Sequence, residues 1–157
     1  MISTGVSGLD KVITGLRLGD NVVWQIDSLP HYVDFVKPFV EKALEEKRKL
    51  VYVRFGNHKP LLKEDKRITV YKLDPHIGFE PFSAAIHGIA KKEGEGVFYV
   101  FDCLSELLSA WANDLMIGNF FKITCPYLYE LNTIAYFAIL RDRHSFKTVA
   151  RIRDTTQ

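Results

Sequence analysis

The sequence predicts an α/β domain in three layers: a mostly parallel sheet of five or more strands with helices on both faces. Five short segments are apolar throughout rather than alternating, which is typical of strands covered on both faces. Helical patterns separate most of these segments, as in consecutive strand–helix–strand units. The chain has 157 residues, enough for one such domain around one core and too few for two. We therefore expect a single domain over residues 1–157.

The predicted elements follow one another in that order. An opening helix begins at Ser7, where Ser7 and Asp10 match a capping box, and Gly15 can end it. The ring of Pro38 would clash with the Asp34 carbonyl, so a kink or a break is expected in the next helix, and a bend is expected near Pro126. The predicted strands are 22–26, 50–55, 68–73, 97–101 and 135–140, and the predicted helices after the first are 32–44, 82–90, 104–115 and 120–131. Residues 56–67 are polar and predict a loop with at most one helical turn.

Composition and charge exclude several classes of protein. Hydrophobic residues make up 47% and charged residues 25%, as in folded proteins rather than disordered ones. The net charge of +2 is too small to indicate a nucleic-acid or anionic-membrane partner. No apolar run is long enough to cross a membrane and no secretory signal is present, so a cytoplasmic location is predicted. Cys103 and Cys125 lack a CxxC spacing and predict buried, reduced thiols.

Ligands of parallel sheets bind where strands turn into helices, so few residues need to be considered. The first such turn contains Asp27, Ser28 and His31, and the fourth begins at Asp102. The second, Asn57-His58-Lys59, is interpreted as an ordinary loop, with small-anion binding as the alternative. The histidines have no metal-ligand spacing, so no metal site is predicted beyond Asp102 at most.

Two stretches carry a resemblance to a known family. Residues 3–10, STGVSGLD, and 15–20, GLRLGD, resemble the S-T-G-I-P-G-L-D and G-G-L-x-x-G entry of RecA-like ATPases of the KaiC and RadA type. Residues 100–107, VFDCLSEL, look like the Walker B region of KaiC-like domains. The resemblance covers residues 3 to about 150 and implies a RecA-like fold with Asp102 as the Walker B aspartate. Because such domains usually continue into further strands, it also implies a chain truncated at its C-terminus.

The departures from that family concern its ATP chemistry. A phosphate-binding loop needs G-x-x-x-x-G-K-[ST], yet no Gly or Lys lies between Ile26 and Val36, and Asp27 places a carboxylate there. The paired glutamates that follow the second strand in KaiC-like ATPases are also missing. We expect a closed nucleotide site with Asp27 or Ser28 capping the helix, and no bound cofactor. Asp102 is expected to cap the helix that follows it, with residual magnesium or ligand binding as the alternative.

The C-terminal segment carries the positive excess. Residues 141–157 hold five cations and two carboxylates, and a helix from about Ser145 would place Lys147 and Arg151 on one face, with Arg143 just before it. One interpretation is an interaction face for an acidic partner, a neighbouring protomer or nucleic acid. The alternative is a solvated helix that contributes only solubility.

These observations predict a catalytically inactive RecA/KaiC-like domain that serves assembly, docking or regulation through a protein partner or self-association. The opening stretch also resembles, more loosely, N-terminal segments of proteins related to phosphoenolpyruvate synthase. This resemblance implies that the domain is part of a larger protein of that kind. One alternative is an ATPase or nucleotide sensor that holds Mg-ATP unconventionally, with Asp102 on magnesium and cations from a second subunit. Another is a single-stranded nucleic-acid binding module, against which the modest charge argues.

Overall fold

All five strands lie in one parallel sheet in the computed structural model, which describes residues 1–156. The strands are β1 (Asn21–Ile26), β2 (Leu50–Arg54), β3 (Ile68–Lys72), β4 (Phe98–Phe101) and β5 (Ile134–Leu140). The helices are α1 (Ser7–Ile13), α2 (Leu29–Glu45), α3 (Phe79–Glu93), α4 (Asp114–Glu130) and α5 (Phe146–Thr155), and a 3-10 helix covers Leu104–Ser109. The predicted domain limit at residue 157 lies outside the described residues. No helix among the described residues is long and apolar enough to cross a membrane.

The strand order is β1-β5-β4-β2-β3, and a separate apolar core lies on each face of the sheet. One core is formed by α2 and the 56–67 loop, the other by α3 and α4, with α5 packed on α4. The central strands β4 and β5 are buried almost completely, because both faces are covered. The predicted parallel sheet of five strands with helices on both faces is therefore confirmed.

The opening helix is confirmed, but its predicted capping box is wrong. The N-cap position is Val6, and Ser7 already lies within the helix. Asp10 instead accepts hydrogen bonds from the backbone amide and hydroxyl of Thr4, at 2.8 and 2.7 Å, and from the hydroxyl of Ser3. The carboxylate thus fixes the incoming chain against the helix. Burial acts to raise the pKa of Asp10, but these three hydrogen bonds hold it below its ordinary value.

The predictions for the two prolines, the helix after β4 and the 56–67 loop have different outcomes. The helix α2 continues through Pro38, so it is not broken there, and α4 continues through Pro126, while the kink and the bend stay predictions. The predicted helix 104–115 is wrong because the 3-10 helix ends at Ser109, and the Asn113 side chain then caps a new helix by accepting from the Met116 amide. The 56–67 loop contains no helical turn, and its Leu61 and Leu62 pack on the α2 side of the sheet. The prediction that both cysteines are buried, reduced thiols is confirmed.

Glu93, at the end of α3, provides a pH-dependent contact between helix and sheet. Its carboxylate accepts from Lys49 Nζ at 2.7 Å and from the Tyr71 hydroxyl at 2.6 Å, and these contacts hold its pKa below the ordinary 4.5. A carboxyl with a lowered pKa stabilises the fold above its ordinary pKa and loses that contribution as pH falls. We expect Glu93→Gln to lower the free energy of unfolding by about 1 kcal/mol at pH 7, and by less at pH 3.5.

Urea denaturation at both pH values measures this difference. Glu95→Gln is the matched control, since Glu95 is exposed and near the same helix end. An equal loss from Glu93→Gln at both pH values would show that the carboxylate charge is not what stabilises the contact.

Candidate functional site

The connection from β1 to α2 contains only Asp27 and Ser28. The Asp27 side chain is 65% exposed and lies 3.7 Å from Arg141 Nε, a weak ion pair between the ends of β1 and β5. Ser28 occupies the N-cap position, but its side chain makes no capping hydrogen bond, so the predicted cap is wrong. Pro30 has no amide to offer, and the His31 amide donates to the Ser28 carbonyl at 3.2 Å.

Asp102 follows β4 and is completely buried. Its Oδ1 accepts from the Tyr52 hydroxyl at 2.5 Å, and its Oδ2 accepts from the backbone amides of Phe55 and Gly56 at 2.9 Å each. The 3-10 helix that follows has Cys103 at its N-cap position, so the prediction that Asp102 caps that helix is wrong. The carboxylate instead binds the first amides after β2, which neighbours β4 in the sheet.

The predicted site residues are not brought together. The strand β5 lies between β1 and β4, so the turns after those two strands are about 10 Å apart. Asp27 is directed to Arg141 at the end of β5, and His31 is exposed, whereas Asp102 is directed toward β2. The four residues therefore form two separate environments, one open to solvent and one enclosed.

Polar side chains fill the gap between the carboxyl ends of β4 and β5. These strands pair only as far as Val100 and Tyr136. The hydroxyl of Tyr32, from α2, lies 2.9 Å from the Phe101 carbonyl and 3.0 Å from the Tyr136 carbonyl. Farther along, the Ser105 hydroxyl accepts from the Leu140 amide at 2.9 Å. Burial raises the pKa of Tyr32 well above its ordinary value, so the phenol stays neutral and keeps its proton for these carbonyls.

A second polar cluster joins Ser105, His144 and Asp114. Ser105 Oγ lies 2.7 Å from His144 Nε2, and His144 Nδ1 lies 2.7 Å from Asp114 Oδ1. These are the contacts of a Ser-His-Asp hydrolase triad. However, Ser105 is 6% exposed and the His144 side chain has no exposed surface, so a substrate carbonyl could not reach the hydroxyl. The cluster acts as a bridge that holds the start of α4 and the start of α5 to the end of β5.

Asp114 also fixes the start of α5 through the Ser145 amide, which donates to its Oδ2 at 2.8 Å. Burial acts to raise the pKa of Asp114, but hydrogen bonds from Ser145 and His144 keep it below the ordinary value. At neutral pH the group is therefore ionised and able to accept all of these bonds.

The predicted helix of the C-terminal segment is confirmed as α5, with the Ser145 hydroxyl as its N-cap acceptor. Lys147 and Arg151 line one shallow groove of about 250 Å³ with Leu115. Arg151 reaches α4, where its Nη1 lies 3.3 Å from Asn119 Oδ1. Next to this groove Phe146 is 81% exposed and Leu115 is 57% exposed. We call the set formed by Arg143, Lys147, Arg151, Phe146 and Leu115 the basic surface.

Sequence reasoning did not identify Tyr32, Tyr52 or His144 as members of polar clusters. Their partners are distant in sequence, for example Tyr136 for Tyr32 and Asp102 for Tyr52, and no local spacing indicates such contacts. Gly56 belongs to the same environment as Asp102. A Cβ there would overlap the imidazole of His58 and lie 3.3 Å from Asp102 Oδ2, so a larger residue would require the His58 side chain to move.

The order of the parallel strands, with β5 between β1 and β4 and helices on both faces, is that of a RecA-like domain. Among solved structures, the chain is similar to the flagellar accessory protein FlaH from Methanocaldococcus jannaschii, with a TM-score of 0.67. The two share 14% sequence identity, and the match covers 96% of this chain and 74% of that one. At this identity the likeness shows the fold alone. No family model matches the chain, and no curated protein matches it.

Proposed function

We propose that this RecA-like domain does not hydrolyse ATP and that it serves assembly or regulation by binding protein. The observation that carries the first part is the two-residue connection between β1 and α2. A phosphate-binding loop wraps successive amides around the phosphates, which a connection of Asp27 and Ser28 cannot do. The connection also carries a carboxylate, and Pro30 removes an amide from the first turn of the helix.

The environment of Asp102 supports the same proposal. A Walker B aspartate would have to reach magnesium, but here both carboxylate oxygens accept protein hydrogen bonds and the side chain is completely buried. The turn after β2, Phe55-Gly56-Asn57, has no carboxylate that could activate water. The proposed domain therefore has a degenerate Walker A region and needs neither ATP nor magnesium as a cofactor.

The basic surface supports a role in protein contacts. Exposed Phe146 and Leu115 offer apolar area, Lys147 and Arg151 line the groove with Leu115, and Arg143 is an exposed cation three positions before Phe146. Aromatic and Arg side chains of this kind dominate the binding energy of protein interfaces. The partner that fits is an acidic protein surface, either a second copy of this chain or another protein. Such a docking role would suit an N-terminal domain of a larger protein related to phosphoenolpyruvate synthase.

Thermal unfolding with millimolar Mg-ATP tests the inactive site directly. A ligand at about 100 times its dissociation constant adds ~2.7 kcal/mol, which would raise the Tm of a domain of this size by roughly 5–10 °C. We expect no such shift, because the two-residue connection offers no phosphate cradle. Magnesium without nucleotide is the control, and a clear increase in Tm that requires ATP would favour the nucleotide-sensor alternative.

Light scattering with and without Mg-ATP tests the assembly role. The expected result is a mass above the monomer value of 18.0 kDa that does not respond to nucleotide. Phe146→Ala combined with Lys147→Glu should restore the monomer, while Lys11→Glu, on the exposed side of α1, should not. A monomer at every concentration would contradict self-assembly. Salt-dependent binding of single-stranded DNA that is lost in Arg143→Ala with Lys147→Ala would favour the nucleic-acid alternative.

A further inference from the structure

A cavity of about 410 Å³ opens at the carboxyl ends of β2, β3 and β4, on the side of the sheet away from β1. Its volume falls in the range of small-molecule sites, and its place beyond the strand ends is where parallel sheets bind ligands. The polar side chains that line it include Arg54, Asn57, His58, Lys72, His76 and Glu106. The inactive β1–α2 connection contributes nothing to this cavity.

Two cations from neighbouring strands line the cavity. Arg54 is the last residue of β2 and Lys72 the last residue of β3, and the two are paired in the sheet register. Within the described residues, no carboxylate lies within 4.0 Å of either cation. Like charges at neighbouring positions of a sheet repel each other, and an anion between them would remove that cost.

Two buried nitrogens on the cavity walls lack hydrogen-bond partners. They are Arg54 Nε and His58 Nε2. Arg54 Nη2 donates to the His58 carbonyl at 3.1 Å, and His58 Nδ1 lies 2.7 Å from the Lys59 carbonyl. His58 Nε2 is 3.8 Å from Asp102 Oδ2, too far for a hydrogen bond. Because His58 Nδ1 donates to the Lys59 carbonyl, Nε2 of the neutral ring is an acceptor, so Arg54 Nε is the one unpaired donor of the two. Buried donors are rarely left unpaired, so Arg54 Nε indicates a missing acceptor.

We infer that this cavity binds the oxyanion group of a small metabolite, a phosphate ester or a carboxylate, between Arg54 and Lys72. The planar guanidinium offers paired donors that match such oxygens, and Lys72 adds a second charge. Asn57 also lines the cavity and can donate through its side-chain amide. Glu106, the single carboxylate among the lining residues, faces the same space and favours a ligand that also carries a hydroxyl or amino group.

Titration of the labelled protein with inorganic phosphate, followed by amide NMR at constant ionic strength, tests the site. We expect saturable shifts at the amides of residues 54–58. Lys72→Gln should increase the dissociation constant for phosphate by roughly tenfold or more, because one charge-assisted contact is lost. Lys72 is exposed at a sheet edge, so this variant should keep the fold. Acetate in a parallel titration separates a carboxylate site from a phosphate site.

Lys122→Gln is the matched control, since it removes an exposed lysine from α4, away from the lining residues. Phosphate binding that is unchanged in Lys72→Gln would overturn the inference, and so would shifts that do not saturate or that centre on α5. The outcome is independent of the proposed lack of ATPase activity. If ATP raises the Tm of the unmodified protein but not that of Lys72→Gln, ATP binds in this cavity. If ATP raises the Tm of both proteins, it binds at the β1–α2 connection.

Discussion

Replacement of Asp102 by alanine should lower the free energy of unfolding by about 3–5 kcal/mol, a large part of the stability of an ordinary domain. The substitution leaves the Tyr52 hydroxyl and the amides of Phe55 and Gly56 without their acceptor inside the protein. Each buried donor left unpaired costs about 1–3 kcal/mol. The Tyr52 hydroxyl also accepts from the Leu61 amide at 3.1 Å, so the 56–67 loop should loosen as well.

Urea denaturation of matched variants measures this effect. Asp27→Ala removes the same group from an exposed position with one weak ion pair, and should change stability by no more than about 0.5 kcal/mol. If Asp102→Ala does not fold, Asp102→Asn keeps one acceptor oxygen and should show a smaller loss. Equal losses from the Asp27 and Asp102 variants would contradict the enclosed, structural role assigned to Asp102.

Replacement of Phe137 by alanine should cost about 3–5 kcal/mol, because it creates a cavity at the centre of the sheet. Phe137 has no exposed surface, and its ring centre lies 4.5 Å from that of Phe101 and 5.1 Å from that of Phe121. These aromatic side chains join β5 to β4 and α4, and therefore hold the predicted layers together. Thermal and urea unfolding both report the loss.

Phe146→Ala provides the control for this core substitution. The side chain is the same but 81% exposed, so the expected change is within about 0.5 kcal/mol. Because the variant should keep its fold, it also isolates the contribution of Phe146 to the proposed protein contacts. A loss of stability from Phe146→Ala comparable to that from Phe137→Ala would mean that α5 packs more tightly than the exposed fraction of Phe146 indicates.

The strands could be predicted because a strand that is buried on both faces is apolar at nearly every position, and the local sequence shows this directly. The segments 50–54 and 134–140 are apolar at nearly every position, and their ends were predicted to within one or two residues. The first and last residues of the helices were harder to predict from the sequence. The division between the 3-10 helix and α4 depends on Asn113, whose capping bond to the Met116 amide is one of several roles that an Asn can take.

The candidate site could be predicted only in part. The lack of glycines and lysine after β1 is a property of the sequence, and it predicts the loss of a phosphate-binding loop. The sequence also pointed to the carboxyl ends of the strands, where the charged cavity lies. The pairing of Arg54 with Lys72 depends instead on which strands become neighbours, and the connection over residues 55–67 does not reveal that register.

What this sequence determines by itself is the class of fold and the lack of a G-x-x-x-x-G-K-[ST] motif after β1, because both depend on residue types and their order along the chain. The tertiary structure decides the partners of each polar group. Asp102 was expected to cap the helix beside it, yet it binds amides that lie 46 and 47 positions earlier in the chain. The physical reason is that a buried carboxylate takes the donors that the sheet brings nearest, and strand order rather than sequence distance sets which donors those are.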